Sequence, residues 1–251
     1  MRVIKIGGRA QGEPSLPAAL IQAWREAPGA TLVVHGGGDA VSRLQRTLGG
    51  SPQFAGGRRV TTATDLDVVR MVLSGAVNKR LVAQLRDANA VGLSGEDAGI
   101  LEARVADAAL GRVGTPVRVN VAPLVCLLAG GFLPVISPVA REAGDSDGAG
   151  LNVNGDDAAA AIAGALQADE LLFLADVPGV FDGDVPVRTL DPDGARALIA
   201  RGAASGGMAA KLEAACDALG RGVAQVRIGD LRALADQRAG TRLSLEPSPT
   251  R

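Results

Sequence analysis

The sequence is poor in aromatic residues and has no excess of either charge. Aromatic residues make up 2% of its 251 residues, and tyrosine is absent, which argues against a surface that stacks unpaired nucleic-acid bases. Lysine and arginine together number 26 against 27 acidic residues, and the net charge is -1. The chain therefore lacks the basic footprint of a nucleic-acid-binding domain, and we expect no nucleic-acid partner.

Long apolar runs are also absent. Hydrophobic residues account for 47% of the chain, enough for a continuous core, but no run approaches the ~20 residues that span a membrane. The chain opens as Met-Arg-Val-Ile-Lys-Ile-Gly-Gly, which has none of the features of a secretory signal. We therefore expect a cytoplasmic protein with no membrane partner.

Cysteine and histidine are too few to suggest a metal centre. Cys126 and Cys216 are far apart in apolar helical patterns, so we expect buried apolar side chains and neither a metal site nor a disulfide. The single histidine, His35, has the chemistry of a base or a ligand. We favour a turn-stabilising or packing role for it.

Lysine is the scarce cation, with three lysines against 23 arginines. Two of the three, Lys5 and Lys211, lie beside glycine pairs. A compact ammonium in place of a planar guanidinium suits a site that holds a transferring phosphoryl group. Chance would explain one such lysine, but two in glycine-rich segments favour a phosphate site.

Short apolar runs alternate with helical stretches along the chain. This alternation predicts a parallel sheet covered by helices on both faces. A helix is predicted from about Thr64 to Ala88, with one apolar stripe, and shorter strand-like pieces between Glu102 and Val121. A loop or small hairpin is predicted over 141–150. The clearest strands are Arg2–Ile6, Thr31–Val34, Leu133–Ser137, Leu171–Leu174 and Val223–Ile228.

Two of these strands run into glycines. Gly7-Gly8 follows the first strand, and Gly36-Gly37-Gly38 follows the second, just before a helix from about Asp39. Strand-to-helix turns of this kind expose backbone N–H groups to anions at one edge of the sheet. Neither turn is a Walker loop, and the dinucleotide pattern fails because Val41 replaces its third glycine.

Three later segments carry further polar residues. Asn152 and Asn154 place two amides on one face of an extended segment, and Asp156 or Asp157 can cap the alanine-rich helix that follows. A simple turn with a cap is the alternative. Asp176-Val-Pro-Gly179-Val follows another strand, and Ser205-Gly-Gly-Met208-Ala-Ala-Lys211 starts a helix with lysine in its first turn. Lysine there opposes the helix dipole, which a bound anion would offset.

Taken together, these segments resemble the motifs of the amino acid kinase family in order and spacing, from Arg2 to about Leu243. The matching segments are Lys5-x-Gly7-Gly8, His35-Gly36-Gly37-Gly38, Gly57-Arg58-Arg59-Val60-Thr61, Val77-Asn78-Lys79, Asn152-x-Asn154-x-Asp156, Asp176-Val-x-Gly179-Val180 and Gly206-Gly207-Met208-x-x-Lys211.

The resemblance implies an α/β fold, a three-layer α/β/α sandwich with a mainly parallel central sheet, as a single domain over residues 1–251. The acyl amino acid would bind the half formed by residues 1 to about 150, and ATP the half from about 151 to 243. A frayed tail is expected over 244–251. Within the family, the chain is most similar to members that phosphorylate the side-chain carboxylate of N-acetyl-L-glutamate in arginine biosynthesis.

The resemblance also implies site residues. Lys5 and Lys211 would neutralise the transferring γ-phosphoryl group, and Asp156 would orient them. Arg59 would clamp the side-chain carboxylate of the substrate, although Arg58-Arg59 also reads as a solvated pair. The remaining positions are Gly37, Gly38, Asn152 and Asn154 for the substrate, and Gly7, Gly8, Asp176, Gly179 and Met208 for ATP.

The chemistry agrees with this assignment. A carboxylate acceptor is already ionised at pH 7, so the reaction needs no general base. Two anions must be brought together, which calls for fixed cations and backbone donors, with Mg²⁺ held mainly by the ATP phosphates and not by a protein metal site.

Two departures and two alternatives accompany this interpretation. Glu96 occupies a position where many such relatives carry lysine, and we assign it no role. The extra N-terminal helix of hexameric, arginine-inhibited members does not precede the first strand, so we expect a homodimer without that feedback. The alternatives are a kinase that acts on aminoadipate linked to an acidic carrier protein, and a ligand-sensing domain without catalysis.

Overall fold

Within its described residues the chain forms sixteen strands, eight of which make up the central sheet. The computed structural model describes residues 1–55, 57–144 and 148–245. The strands are β1 (Arg2–Ile6), β2 (Thr31–His35), β3 (Phe54–Ala55), β4 (Arg58–Arg59), β5 (Ala90–Ser94), β6 (Leu101–Val105), β7 (Val113–Val119), β8 (Leu133–Ser137), β9 (Val139–Glu142), β10 (Gly150–Val153), β11 (Glu170–Leu174), β12 (Phe181–Asp182), β13 (Val185–Pro186), β14 (Thr189–Leu190), β15 (Gln225–Gly229) and β16 (Thr241–Leu243).

The α-helices connect these strands and cover them. They are α1 (Leu16–Glu26), α2 (Gly38–Thr47), α3 (Ala63–Arg70), α4 (Asn78–Gln84), α5 (Ala122–Ala129), α6 (Gly155–Ala165), α7 (Pro192–Ala200), α8 (Gly206–Gly220) and α9 (Arg232–Ala235). None of the helices in the described parts of the chain combines the length and apolar character of a membrane span.

The central sheet has eight strands in the order β14-β16-β15-β11-β1-β2-β8-β5. All neighbouring pairs are parallel except β15 with β16. It contains strands from both predicted halves of the chain. The fold class predicted from the sequence, an α/β/α sandwich with a mainly parallel sheet, is confirmed.

Alternation along β1 sends its side chains to two cores. Val3 packs with residues of α6 and α8 on one face of the sheet. Ile4 and Ile6 pack with residues of α1 and α9 on the other. Because side chains alternate along a strand, Lys5 belongs to the face of Val3 and points toward α6.

The predicted strands agree with the structure, with shifts of one or two residues at several ends. Edge strand β5 was not predicted as part of this sheet. All five of its residues are only partly buried. Gly92 interrupts the apolar pattern, and glycine is needed there because the Oδ1 atom of Asn78 lies where a side chain would start. The predicted helix over 64–88 forms as α3, a π-helical turn at Met71–Val77, α4 and a short 3-10 turn.

Strands β6, β7, β9 and β10 close into a small barrel beside the main sheet. The strand-like pieces predicted between Glu102 and Val121 are β6 and β7. Strands β9 and β10 pair as an antiparallel hairpin, and part of the predicted loop, residues 145–147, lies outside the described residues. Of the predicted frayed tail, residues 246–251 lie outside them too, whereas the Ser244 amide donates to Leu190 O (3.2 Å).

The expectation of two buried cysteines was wrong. Cys126 is exposed and Cys216 is half-buried. Helix α5 is apolar on every side, but only Leu124 and Leu128, four residues apart, reach the core. The run of apolar residues therefore does not distinguish the buried side from the outer side, which carries Cys126.

Candidate active site

Lys5 and Lys211 converge on one carboxylate. The Nζ atom of Lys5 lies 2.6 Å from Asp156 Oδ1, and the Nζ atom of Lys211 lies 3.3 Å from Asp156 Oδ2. The three side chains are 7%, 14% and 6% exposed. Two cations from opposite ends of the chain thus share one buried site.

The start of helix α6 places Asp156 in this cluster. Asn154 caps the helix, because its Oδ1 atom accepts a hydrogen bond from the Asp156 amide (2.8 Å). The predicted cap at Asp156 or Asp157 was therefore wrong. Because Asn154 is the capping residue, the carboxylate of Asp156 is not used as the cap and meets the two lysines.

The position of Lys211 also differs from the prediction. Helix α8 begins at Gly206, whose φ of +53° favours glycine. Lys211 is the sixth residue of that helix and lies in its second turn. It therefore lies beyond the strongest effect of the helix dipole, and Asp156 supplies the countercharge in this structure.

For Lys5 and for Asp156, burial and the attraction of the oppositely charged partner shift the pKa in opposite directions. Burial lowers the pKa of Lys5, and Lys211 adds to this effect while Asp156 opposes it. Burial works to raise the pKa of Asp156, but Lys5 and Lys211 outweigh it and leave that pKa below its usual value. The carboxylate is therefore ionised at neutral pH.

A cavity of about 460 Å³ opens beside Lys211. A Cβ at Gly8 would enter open space, so the backbone of this turn is accessible from the cavity. Four further predicted site residues also line this cavity, namely Gly7, Gly38, Asp176 and Met208. The lining residues are Gly7, Gly8, Arg9, Ala10, Gly38, Asp39, Ala175, Asp176, Val177, Gly207, Met208 and Lys211.

Arg9 and Asp176, which both line this cavity, form an ion pair. The Nη1 atom of Arg9 lies 2.8 Å from Asp176 Oδ2, and both side chains are exposed. The hydrogen bond from Arg9 lowers the pKa of Asp176. Sequence reasoning missed Arg9, although a cation directly after Gly7-Gly8 was a usable signal for an anion site.

Gly179 does not line that cavity. It borders a separate one of about 430 Å³, where a Cβ would lie 2.8 Å from Thr241 Oγ1. Thr241 Oγ1 also accepts a hydrogen bond from the amide of Val180 (2.8 Å). Close packing against Thr241 accounts for the glycine at this position.

A smaller cavity of about 190 Å³ contains Arg59. Its guanidinium donates to Gly38 O (2.9 Å), to Ser42 Oγ (2.7 Å) and to Gln45 Oε1. It also lies over the ring of Phe54, 4.8 Å from the centroid. Burial lowers the pKa of Arg59, and within the described chain it forms no ion pair.

Gly38 lines both cavities, which therefore lie next to each other at this residue. Gly37 lines the smaller one, and a Cβ there would lie 2.8 Å from Leu73 Cδ2. Asn152 and Asn154 line the smaller cavity as well. The Nδ2 atom of Asn152 donates to Thr61 Oγ1 (3.0 Å).

His35 is fully buried beneath the glycine turn. Its Nδ1 atom donates to Gly36 O (2.9 Å), and its Nε2 atom accepts from Asn78 Nδ2 (3.1 Å). Burial lowers its pKa to about 4, so the ring is neutral at pH 7. These contacts fit the packing role favoured from the sequence.

Glu96, which received no role, is bound to Arg70. Its Oε1 atom lies 2.6 Å from Arg70 Nη2, and its backbone carbonyl accepts from Arg141 Nε (2.7 Å). The residue thus joins α3 to the barrel. Within the described residues, no group of three or more histidine, cysteine, aspartate or glutamate side chains is placed to hold a metal ion.

Sequence reasoning also missed a second ion pair beside the cluster. The Nη2 atom of Arg58 lies 3.0 Å from Asp157 Oδ2. Arg58 precedes Arg59 on β4, and Asp157 follows Asp156 on α6. The proximity of these segments depends on long-range folding, so no local pattern indicated the pair.

The amino acid kinase family model matches residues 1–230, and the chain belongs to this family. The acetylglutamate kinase of Cereibacter sphaeroides is 44% identical over 98% of this chain and 88% of its own. That of Chloroflexus aurantiacus is 44% identical over 96% of both. A crystal structure of a Streptococcus mutans protein superposes with a TM-score of 0.86 at 28% identity, covering 98% of both chains.

Proposed function

We propose that the protein transfers the γ-phosphoryl group of ATP to the side-chain carboxylate of N-acetyl-L-glutamate. The product would be N-acetyl-L-glutamyl 5-phosphate, an intermediate of arginine biosynthesis. The acetylglutamate kinases that resemble the chain over most of its length support this substrate. The observation that carries the proposal is the convergence of Lys5 and Lys211 on Asp156.

The two cavities suit the two substrates. The larger one is bordered by Gly7-Gly8 and by the start of α8, which offer backbone donors for the phosphates of ATP. The smaller one, at about 190 Å³, has less volume than most pockets for drug-sized ligands, which suits a small acyl amino acid. Arg59 would bind a carboxylate of the acceptor there, and Gly37, Gly38, Asn152 and Asn154 would complete that site.

In the proposed reaction, a carboxylate oxygen of the acceptor attacks the γ-phosphorus. A new P–O bond forms, the bond to the β–γ bridging oxygen breaks, and ADP leaves with that electron pair. No proton has to move, because the acceptor is ionised at pH 7. Lys5 and Lys211 would neutralise the charge that spreads over the transferring group, and Asp156 would keep their two ammonium groups in place.

We propose that Mg²⁺ enters with ATP. Mg²⁺ in such sites retains phosphate and water ligands, and it would offset the phosphate charge. Asp176 is a candidate for an indirect contact, because it lines the larger cavity.

The proposal is tested by ADP formation with three acceptors: N-acetyl-L-glutamate, N-acetyl-L-2-aminoadipate and free L-glutamate. Turnover with N-acetyl-L-glutamate at the highest kcat/KM supports the proposal. Preference for the aminoadipate derivative would favour the carrier-linked kinase. Ligand binding by calorimetry without turnover of any of the three would favour the sensing domain.

Assembly as a homodimer and a location in the cytoplasm stay predictions from the sequence. Light scattering on the purified chain measures the first, and fractionation of the source cells measures the second.

A further inference from the structure

Arg58 has a donor without a partner. Its Nη1 atom is buried, and no hydrogen-bond acceptor among the described residues serves it. A buried, unsatisfied donor costs free energy, all the more when it belongs to a charged group. The side chain as a whole is 33% exposed, but Nη1 itself is not, so a ligand in the adjoining space reaches this atom only through a shift of the guanidinium or of its neighbours on binding.

The position of Arg58 indicates which ligand this would be. Arg58 lines the smaller cavity together with Arg59 and Asn152. It also borders a cavity of about 440 Å³ that Asp156 and Gly207 share. It does not line the larger cavity beside Gly7-Gly8 and Lys211. The guanidinium therefore lies between the smaller cavity and the start of α8, and its place beside Arg59 and Asn152 favours the acceptor over ATP.

Asp157 holds the guanidinium by one edge only. Its Oδ2 atom lies 3.0 Å from Nη2, which leaves Nη1 available. Burial raises the pKa of Asp157 even though Arg58 lowers it, so the pair does not fully compensate the burial of this carboxylate. A second anion beside the guanidinium would meet a cation that is already fixed in position.

We propose that Arg58 is an additional substrate-binding residue, which donates from Nη1 to an anionic oxygen of the acyl-amino-acid acceptor while Asp157 holds its other edge. This inference rests on the proposed function. It assigns the acceptor two adjacent arginines, Arg58 and Arg59. Arg58 also forms the ion pair with Asp157 that connects β4 to α6.

Two substitutions separate binding from tethering. Arg58→Met removes every donor and keeps much of the stem. Arg58→Lys keeps one ammonium for Asp157 but loses the second donor. We expect each to raise the KM for N-acetyl-L-glutamate by about tenfold, equivalent to about 1.4 kcal/mol, with the KM for ATP within about twofold. The Kd of N-acetyl-L-glutamate from calorimetry without ATP should rise in parallel.

A matched control is Arg118→Met, which removes an exposed pair with Glu102 on the barrel and should leave both constants unchanged. Normal acceptor binding in Arg58→Lys, with weaker binding only in Arg58→Met, would show a tether and overturn the inference. Normal constants in both variants, or equal losses for ATP and acceptor, would also overturn it. If the unmodified protein fails to turn over N-acetyl-L-glutamate, the proposed function itself is wrong and this inference with it.

Discussion

Lys5 and Lys211 reach the same carboxylate from opposite ends of the chain, at 2.6 and 3.3 Å. Lys5 comes from the second-last position of β1 and Lys211 from the second turn of α8, whereas Asp156 belongs to the first turn of α6. Two ammonium groups that share one carboxylate repel each other, and burial strengthens that repulsion. An arrangement of this kind is stable only with Asp156 between them, and it is well suited to an incoming polyanion.

Replacing either lysine by arginine should therefore impair turnover. We expect Lys5→Arg and Lys211→Arg each to lower kcat by more than about tenfold, or about 1.4 kcal/mol of barrier, because a planar guanidinium does not fit where a compact ammonium does. Lys79→Arg is the control, since Lys79 is exposed and donates to Gly92 O (2.8 Å). Near-normal kcat in either site variant, measured by ADP release, would refute the role assigned to that lysine.

The pH dependence of kcat/KM should depend on Asp156. Burial already lowers the pKa of Lys5, and Asp156 opposes this effect. Asp156→Asn removes the opposing charge, so Lys5 should lose its proton at a still lower pH. We expect a lower rate and an alkaline limb displaced toward neutral pH. If the limb stays in place in Asp156→Asn, the alkaline loss of activity does not arise from Lys5.

Arg59→Ala should weaken the binding of the acceptor more than the binding of ATP. The guanidinium lies in the smaller cavity and forms no ion pair among the described residues, so its charge is available to a carboxylate. We expect the KM for N-acetyl-L-glutamate to rise by more than about tenfold, since charged hydrogen bonds contribute about 1.5–3 kcal/mol. Initial rates over both substrate concentrations measure the two constants, and a larger effect on ATP would remove Arg59 from the acceptor site.

His35 should make the fold sensitive to acid. Its pKa is lowered from 6.5 to about 4, so between these values the unfolded chain binds a proton that the folded chain does not. Stability should therefore fall as the pH drops from 6.5 to 4, by about 3 kcal/mol from this residue. In His35→Gln, urea unfolding at pH 7 and pH 4.5 should give a smaller difference than in the unmodified protein. An equal difference would assign the acid sensitivity to other groups.

Away from the site, the buried ion-pair cluster of Arg2, Glu170 and Arg227 should contribute more to the free energy of unfolding than an exposed ion pair. Glu170 accepts from both Arg2 and Arg227, and the Arg227 side chain is 2% exposed. Glu170→Gln would leave two guanidinium groups without a countercharge, at a cost of about 3–5 kcal/mol. Asp182→Asn, which breaks the exposed pair with Arg201, should cost less than about 1 kcal/mol. Comparable shifts in the urea midpoint for both variants would contradict this ranking.

Strands buried on both faces were the most predictable elements. The runs that became β1 and β8 have the predicted bounds, because a short, mainly apolar run too short for a helix has few interpretations other than a buried strand. Strand β5 was missed, since Gly92 breaks its pattern for a reason that lies in another segment, the side chain of Asn78. Similarly, the apolar run of α5 did not reveal that Cys126 lies on the exposed side.

The residue types, their order and the glycine turns are properties of the sequence alone. With the family resemblance that they carry, they predicted the fold class, which is confirmed, and a phosphoryl-transfer site around Lys5, Lys211 and Asp156, which stays a prediction. Only the tertiary structure decided that Asn154 and not an aspartate caps α6, that Gly179 packs against Thr241, and that Arg58 meets Asp157. The last two outcomes depend on contacts between segments distant in sequence, whereas the cap is a local contact that depends on the residue at which α6 begins. Local pattern constrains which elements form, but the distances between side chains on different elements are set only when the sheet and its helices pack together.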